Sequence, residues 1–281
     1  MKTHRISGSG GVRLHAVETG DPNGRPILFI HGISQSWLSW RCQLRSDLQD
    51  EFRLIAIDLR GHGKSDKPAD ESYKESKVWA DDINAVITTL ELNEPILSGW
   101  SYGPLVMLDY VRHYGEDNIG GMNFVSGVTK LGSEDAMMVL TPEFLSLVPG
   151  FFSSDVQESV QAMRSLIRLC FTKEPAERDL YMMLGYNIST PPYVRQAMLS
   201  RSFDNDDLLP KLRKPVLITQ GSIDKVVRVR ASEQIRSAIK HSTLVIMENA
   251  GHALCREEPE KFNARLRDFA VGTMAVSASA E

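Results

Sequence analysis

Pro95-Ile96-Leu97-Ser98-Gly99-Trp100-Ser101-Tyr102-Gly103-Pro104 is the stretch on which the reading of this chain turns. A short apolar run, the pattern of a buried strand, enters Gly99-x-Ser101-x-Gly103, and Leu105, Leu108, Val111 and Arg112 follow at helical spacing. The two glycines lack a Cβ, so the backbone can turn tightly enough to place Ser101 at the apex with its hydroxyl exposed. The serine then stands at a helix N-terminus, where unpaired N–H groups and the helix dipole favour developing negative charge. Pro104 suits the first helical turn, where a missing N–H goes unnoticed. Gly-x-Ser-x-Gly alone is a weak signal, because glycine and serine are common in any loop. Its meaning rests on what surrounds it.

Upstream, strand and helix patterns alternate. Val12 to Val17 alternates apolar and polar residues, the period of a half-buried strand, and Gly8-Ser9-Gly10-Gly11 before it reads as a hairpin turn. A strand rather than a helix follows that glycine run, which excludes a phosphate-binding loop. Pro26 to Ile30 is continuously apolar, as in a strand buried on both faces, and runs into His31-Gly32-Ile33. Ser36 to Leu48 is expected as one helix, with Trp37, Trp40 and Leu44 on one face. The strand Leu54 to Ile57 ends in Asp58-Leu59-Arg60-Gly61-His62-Gly63-Lys64-Ser65. Residues 76–91 carry Trp79, Ile83, Val86 or Ile87, and Leu90 at helical spacing, with Asp81 and Asp82 assigned to the polar face. Met122 to Ser126 reads as the next strand, and the alternation implies a parallel sheet covered on both faces.

From about Lys130 to Asp207 the rhythm changes to helical patterns without a clear strand. Prolines at 142, 149, 175, 191 and 192 divide it into short helices set at angles. Most of its apolar residues are expected in its own core, with a few facing Ser101. Such a methionine- and phenylalanine-rich roof favours an apolar acyl or ring group. The sheet resumes at Pro215 to Gly221, followed by Ser222-Ile223-Asp224. A helix through Glu233, Ile235 and Ile239 precedes the strand Thr243 to Met247, which leads into Gly251-His252. The last helix starts near Pro259 and runs through Phe262, Leu266 and Phe269; Gly272 to Glu281 is expected as a frayed tail.

Ser101, Asp224 and His252 each follow a strand, and in a parallel sheet those ends share one edge. The three residue types suit one chemistry. A serine hydroxyl must lose its proton as it attacks, which needs a base such as histidine, and a buried carboxylate holds the imidazole tautomer. His4, His15, His113 and His241 fall where surface or structural roles are expected, and the Asp204 to Asp207 run reads as a solvated loop.

With those residues in view, the chain resembles the α/β-hydrolase family. The strand running into His31-Gly32 is similar to that family's oxyanion loop, the turn at Ser101 to its nucleophile elbow, and the order Ser101, Asp224, His252 to its catalytic order. The resemblance implies an α/β fold with a mostly parallel eight-stranded sheet flanked by helices. It places a core at 1–129 and 208–281 and an inserted helical cap at 130–207. It implies backbone oxyanion donors at Ile33 and Tyr102, each worth on the order of 3 kcal/mol. The segment from Asp58 to Ser65 also resembles the family, where its role is mostly structural, with His62 as an alternative lining of the pocket entrance. Haloalkane dehalogenases and epoxide hydrolases of this fold carry aspartate at the elbow and usually proline two residues after His-Gly. This chain has Ser101 and Ser34 there, which disfavours both chemistries. The expected activity is cleavage of a small apolar carboxylic ester or lactone through an acyl-enzyme. C–C bond hydrolysis and metal-free perhydrolysis use the same parts, and a ligand-binding receptor of this fold is the minor alternative.

Composition limits the other classes. With 281 residues, 42% hydrophobic and 24% charged, the chain can form one large domain with an insertion or two domains. A net charge of −4 without a basic stripe argues against nucleic acid. Three widely spaced cysteines exclude a disulfide framework and fit a cytoplasmic protein. No apolar run approaches the roughly 18 residues of a membrane span, and Met1 to Arg5 is not followed by the apolar run of a secretory signal. No cofactor and no metal are expected. The partner is a small-molecule substrate, and the oligomeric state is left open, a homodimer being one option.

Overall fold

The computed structural model describes residues 1–278, with side chains to Thr273. Its eight strands form one sheet in the order β1-β2-β4-β3-β5-β6-β7-β8. They are β1 (Lys2–Ser7), β2 (Arg13–Gly20), β3 (Arg25–Ile30), β4 (Phe52–Asp58), β5 (Ile96–Trp100), β6 (Gly121–Val125), β7 (Val216–Gly221) and β8 (Thr243–Met247). β2 pairs antiparallel with β1 and β4, and every other pairing is parallel. The apolar run Ile27 to Ile30 lies at the centre of the sheet and is fully buried along its length, as a strand covered on both faces must be.

Among the described residues, eleven α-helices accompany the sheet: α1 (Arg41–Leu44), α2 (Ser76–Thr89), α3 (Gly103–Tyr114), α4 (Glu134–Met138), α5 (Pro142–Phe151), α6 (Val156–Cys170), α7 (Glu177–Ile188), α8 (Pro192–Leu199), α9 (Val229–Ala238), α10 (Leu254–Glu257) and α11 (Pro259–Ala278). α2 and α3 pack on each other, while Trp40 lies between Phe29 of β3 and Phe262 of α11, with ring centroids 4.8 and 6.2 Å away. Helices α4 to α8 all fall between β6 and β7. Bridges Leu131 to Phe203 and Leu140 to Val227 tie both ends of that insertion. Among the described residues, no helix is long and apolar enough to cross a membrane.

Three expectations need correction. Ser36 to Leu48 is not one helix but two 3-10 turns, Trp37–Trp40 and Asp47–Asp50, on either side of the four-residue α1. Serine hydroxyls cause the breaks: Ser36 and Ser46 accept from the N–H two residues on, and the Ser46 hydroxyl also donates to the Gln43 carbonyl. The tail from Gly272 continues α11 as far as Ala278, and the remaining residues lie outside those described. Asp82 is not on a polar face. It is buried, and its carboxylate takes a two-pronged bond from Arg60 at 2.6 and 2.9 Å and the Ser9 N–H at 2.9 Å.

The loops leaving β3 and β4 are braced by buried polar groups. Asp58 holds His15 Nδ1 at 2.9 Å and accepts the Trp37 and Lys64 N–H groups. His31 and His62 stand 4.9 Å apart with no exposed surface. Each donates from Nδ1 to a backbone carbonyl, His31 to Gly32 and His62 to Arg60. Each accepts a backbone N–H at Nε2, from Leu59 and Ser34 respectively, so both rings must be neutral. Burial pushes both imidazoles below their ordinary pKa, and the neighbouring His31 ring pushes His62 further down.

Two outcomes are expected. Asp82→Asn leaves the Arg60 guanidinium buried without its charge partner and should cost about 3–5 kcal/mol of unfolding free energy in urea titrations. A cost under 1 kcal/mol would show that the pair is dispensable. For His31 and His62, the unfolded chain takes up protons near pH 6.5 while the folded rings resist them. Their contribution is therefore complete above about pH 6.5 and declines as the pH falls below it. The urea midpoint should drop across that window, and less steeply in His62→Gln; equal slopes in the two proteins would contradict the assignment.

Candidate active site

Ser101 follows β5 directly and has a φ of 60°, a left-handed backbone that costs a residue with a Cβ about 1–2 kcal/mol. Its N–H donates to the Val125 carbonyl at 2.9 Å, and its carbonyl accepts from Val128 N–H at 3.2 Å, so β6 clamps the turn. The flanking glycines are required by close approach rather than by their own torsions. A Cβ on Gly99 would lie 2.4 Å from Met107 Sδ, and one on Gly103 would lie 2.6 Å from the Ile30 carbonyl oxygen. Gly32 likewise lets the loop after β3 close on the serine, since its Cβ would stand 2.9 Å from Ser101 Cβ.

The expected backbone donors lie on those two segments. Ile33 and Tyr102 are buried, and neither N–H has a hydrogen-bond acceptor among the described residues. Tyr102 N–H opens α3, where helix geometry provides no acceptor. Ile33 follows Gly32, which closes on Ser101, and Tyr102 is the residue after the serine.

Asp224 and His252 meet across the ends of β7 and β8. His252 Nδ1 donates to Asp224 Oδ2 at 2.8 Å, with both side chains buried. The same carboxylate accepts the Val226 and Val227 N–H groups at 2.7 and 2.9 Å and Gln220 Nε2 at 2.9 Å. The bond from Nδ1 fixes the imidazole with Nε2 free. Trp100, the residue before Ser101, donates from Nε1 to the His252 carbonyl at 2.9 Å, and its ring lies 5.4 Å from the imidazole. That bond ties the histidine loop to the serine turn. Ser101 Oγ and His252 Nε2 are both without a hydrogen-bond partner among the described residues.

Several supporting residues were not singled out from sequence. Gln220 is aimed at Asp224 because Ser232 Oγ donates to its Oε1 at 2.8 Å. Glu257, five residues beyond His252, accepts Gly251 N–H at 2.7 Å through one oxygen. Its other oxygen accepts Thr172 N–H at 2.6 Å and the Thr172 hydroxyl at 2.5 Å. Arg201 donates to Asp109 at 2.7 and 2.9 Å and to Tyr102 Oη at 3.1 Å, and Tyr102 Oη donates to the Met198 carbonyl at 3.2 Å. Helical spacing and motif order carry no information about such long-range partners. His62, offered as a lining of the pocket entrance, is instead buried and bonded to Ser34 N–H.

Comparison with known proteins agrees with this architecture. Residues 25–259 match the family described as alpha/beta hydrolase fold. The solved structure of esterase RhEst1 from Rhodococcus sp. ECU1013 superposes with a TM-score of 0.90 at 34% identity, covering 96% of this chain and 98% of that one. Epoxide hydrolase 1 of Caenorhabditis elegans is 27% identical over 92% of this chain and 68% of its own length. The non-heme chloroperoxidase CPO-A1 of Kitasatospora aureofaciens is 27% identical over 92% of this chain and 96% of its own. A match over residues 25–259, carried on an eight-stranded sheet with the serine turn after its fifth strand, makes this chain a member of the alpha/beta hydrolase fold family.

Proposed function

We propose that the chain is a serine hydrolase that cleaves a small carboxylic ester or lactone through an acyl-enzyme. The observation that carries this reading is the His252–Asp224 pair, tethered by Trp100, the residue before Ser101. Ser101 Oγ attacks the carbonyl carbon as its proton passes to His252 Nε2, and the buried Asp224 carboxylate stabilises the imidazolium. The carbonyl oxygen becomes an oxyanion and takes the unpaired Ile33 and Tyr102 N–H groups. His252 then protonates the leaving alkoxide, giving the acyl-enzyme. A water molecule, deprotonated by His252, attacks the acyl carbon; the bond to Ser101 Oγ breaks as His252 returns the proton to that oxygen, which releases the acid and restores Ser101. The strained turn supports this assignment, since left-handed non-glycine residues cluster where a side chain must be presented. Unliganded sites commonly leave the serine–histidine bond open until substrate aligns it.

In this reading, residues 130–207 act as the cap and 1–129 with 208–281 as the core. Met198 of α8, whose carbonyl holds Tyr102, belongs to the roof. The esterase at 34% identity favours ester hydrolysis. The epoxide hydrolase relative does not carry over its chemistry here, because Ser101 stands where an aspartate nucleophile would be needed. The chloroperoxidase relative favours one second reading: hydrogen peroxide in place of water intercepting the acyl-enzyme, which yields a peracid. Three unpaired cysteines suit a reducing compartment such as the cytoplasm.

Steady-state turnover of p-nitrophenyl esters of increasing acyl length should show many turnovers for the native protein and a fall of about 10⁴-fold or more in Ser101→Ala. At most one turnover on every ester would sink the hydrolase reading. Peracid production from acetate and peroxide at a rate exceeding ester hydrolysis would favour the second reading. Ser101→Gly should be equally inactive yet more stable, by up to about 1 kcal/mol in urea unfolding, because it relieves the left-handed strain.

A further inference from the structure

A cleft of about 260 Å³ opens at the antiparallel edge of the sheet, between β1, β2 and the loop after β4. β2 is three places from β5 in the sheet, so the cleft lies outside the site at Ser101. It is built on a row of residues in register across three strands: Arg5 of β1 pairs with His15 of β2, and His15 pairs with Asp58 of β4. Residues directly opposite one another share a face of the sheet. His15 is 8% exposed, and its Nδ1 donates to Asp58 Oδ2 at 2.9 Å. That bond leaves Nε2 as the acceptor of the neutral ring, and the buried carboxylate behind it strengthens the acceptor. Nε2 has no hydrogen-bond partner among the described residues, and His15 lines the cleft.

The other charged and titratable groups around the cleft divide into spent and unspent. Arg13 is cancelled by Asp66, which it grips with Nε and Nη2 at 3.1 and 3.0 Å. His4 is occupied by Glu18 at 2.6 Å. Arg5 and Lys64 remain, and among the described residues neither side chain has a hydrogen bond or an ion pair. The cleft therefore presents two uncancelled positive charges and, between the strands, one buried acceptor that nothing fills.

We propose that this cleft is a binding site for inorganic phosphate. Hydrogen phosphate brings two negative charges, which match Arg5 and Lys64, and one hydroxyl, which donates to His15 Nε2. The hydroxyl sets the choice of ligand. Sulfate has the same shape and charge but no proton to give at neutral pH, so it meets the imidazole lone pair with its own. A carboxylate brings one charge and no hydroxyl. The site is independent of the serine-hydrolase reading, and its test needs no substrate.

The test follows the histidine ring signals by NMR at neutral pH while inorganic phosphate replaces chloride at constant ionic strength, with His15→Gln identifying the His15 signal. That signal should shift saturably with phosphate, and sulfate should bind about tenfold or more weakly. Arg5→Met and Lys64→Met should each raise the phosphate dissociation constant about tenfold, with Arg5→Lys between native protein and Arg5→Met. Arg5 and Lys64 are both exposed, so these variants keep the fold, and unchanged signals from the remaining histidines check this. A His15 signal that does not move, an equal response to sulfate, or an unchanged constant in Arg5→Met overturns the site and leaves the cleft as plain cationic surface.

Discussion

A left-handed serine is tolerated here only because three glycines surrender their side chains to it. Gly99, Gly103 and Gly32 each sit where a Cβ would collide, with Met107, with the Ile30 carbonyl and with Ser101 itself. Their absence of bulk lets β3, β5 and α3 converge on one residue. The strain is confined to Ser101, and the hydrogen bonds to Val125 and Val128 hold it. Everything else at the edge of the sheet is positioned relative to that turn.

Buried charge organises the neighbouring loops. Arg60 with Asp82, Arg201 with Asp109, and Asp58 with His15 each lock two distant segments, because an unsatisfied charge in the interior is more costly than the order its partner imposes. His31 and His62 do the same while remaining neutral, each spending both ring nitrogens on backbone groups. The imidazole of His252 differs in keeping one nitrogen unbonded, and Asp224 differs from Asp82 and Asp109 in having backbone N–H groups, an amide and a histidine as partners instead of an arginine.

The strands and the serine turn were legible because they are local. An apolar run of a few residues, a glycine pair and a helical period are all written in contiguous sequence, and the parallel sheet follows from their alternation. Asp224 and His252 were legible through strand ends and resemblance, and the structure brings them to 2.8 Å. The failures share a cause. Asp82 looks like any acidic residue on a helix until Arg60, 22 positions away, is folded against it. The segment from Ser36 to Leu48 has helical periodicity, but serine hydroxyls compete for its backbone donors. Gln220 and Glu257 matter only through the partners that folding brings to them, Ser232 for the one and Thr172 for the other.

Glu257 joins two parts of the molecule that are far apart in sequence. One carboxylate oxygen holds Gly251, next to His252, and the other holds Thr172, just past the end of α6 in the insertion. The insertion is therefore not an independent lid. Displacing Thr172 would break the bonds that hold one end of the Glu257 carboxylate, whose other end fixes Gly251 beside His252. One carboxylate thus makes the position of the loop before His252 depend on how the insertion is seated.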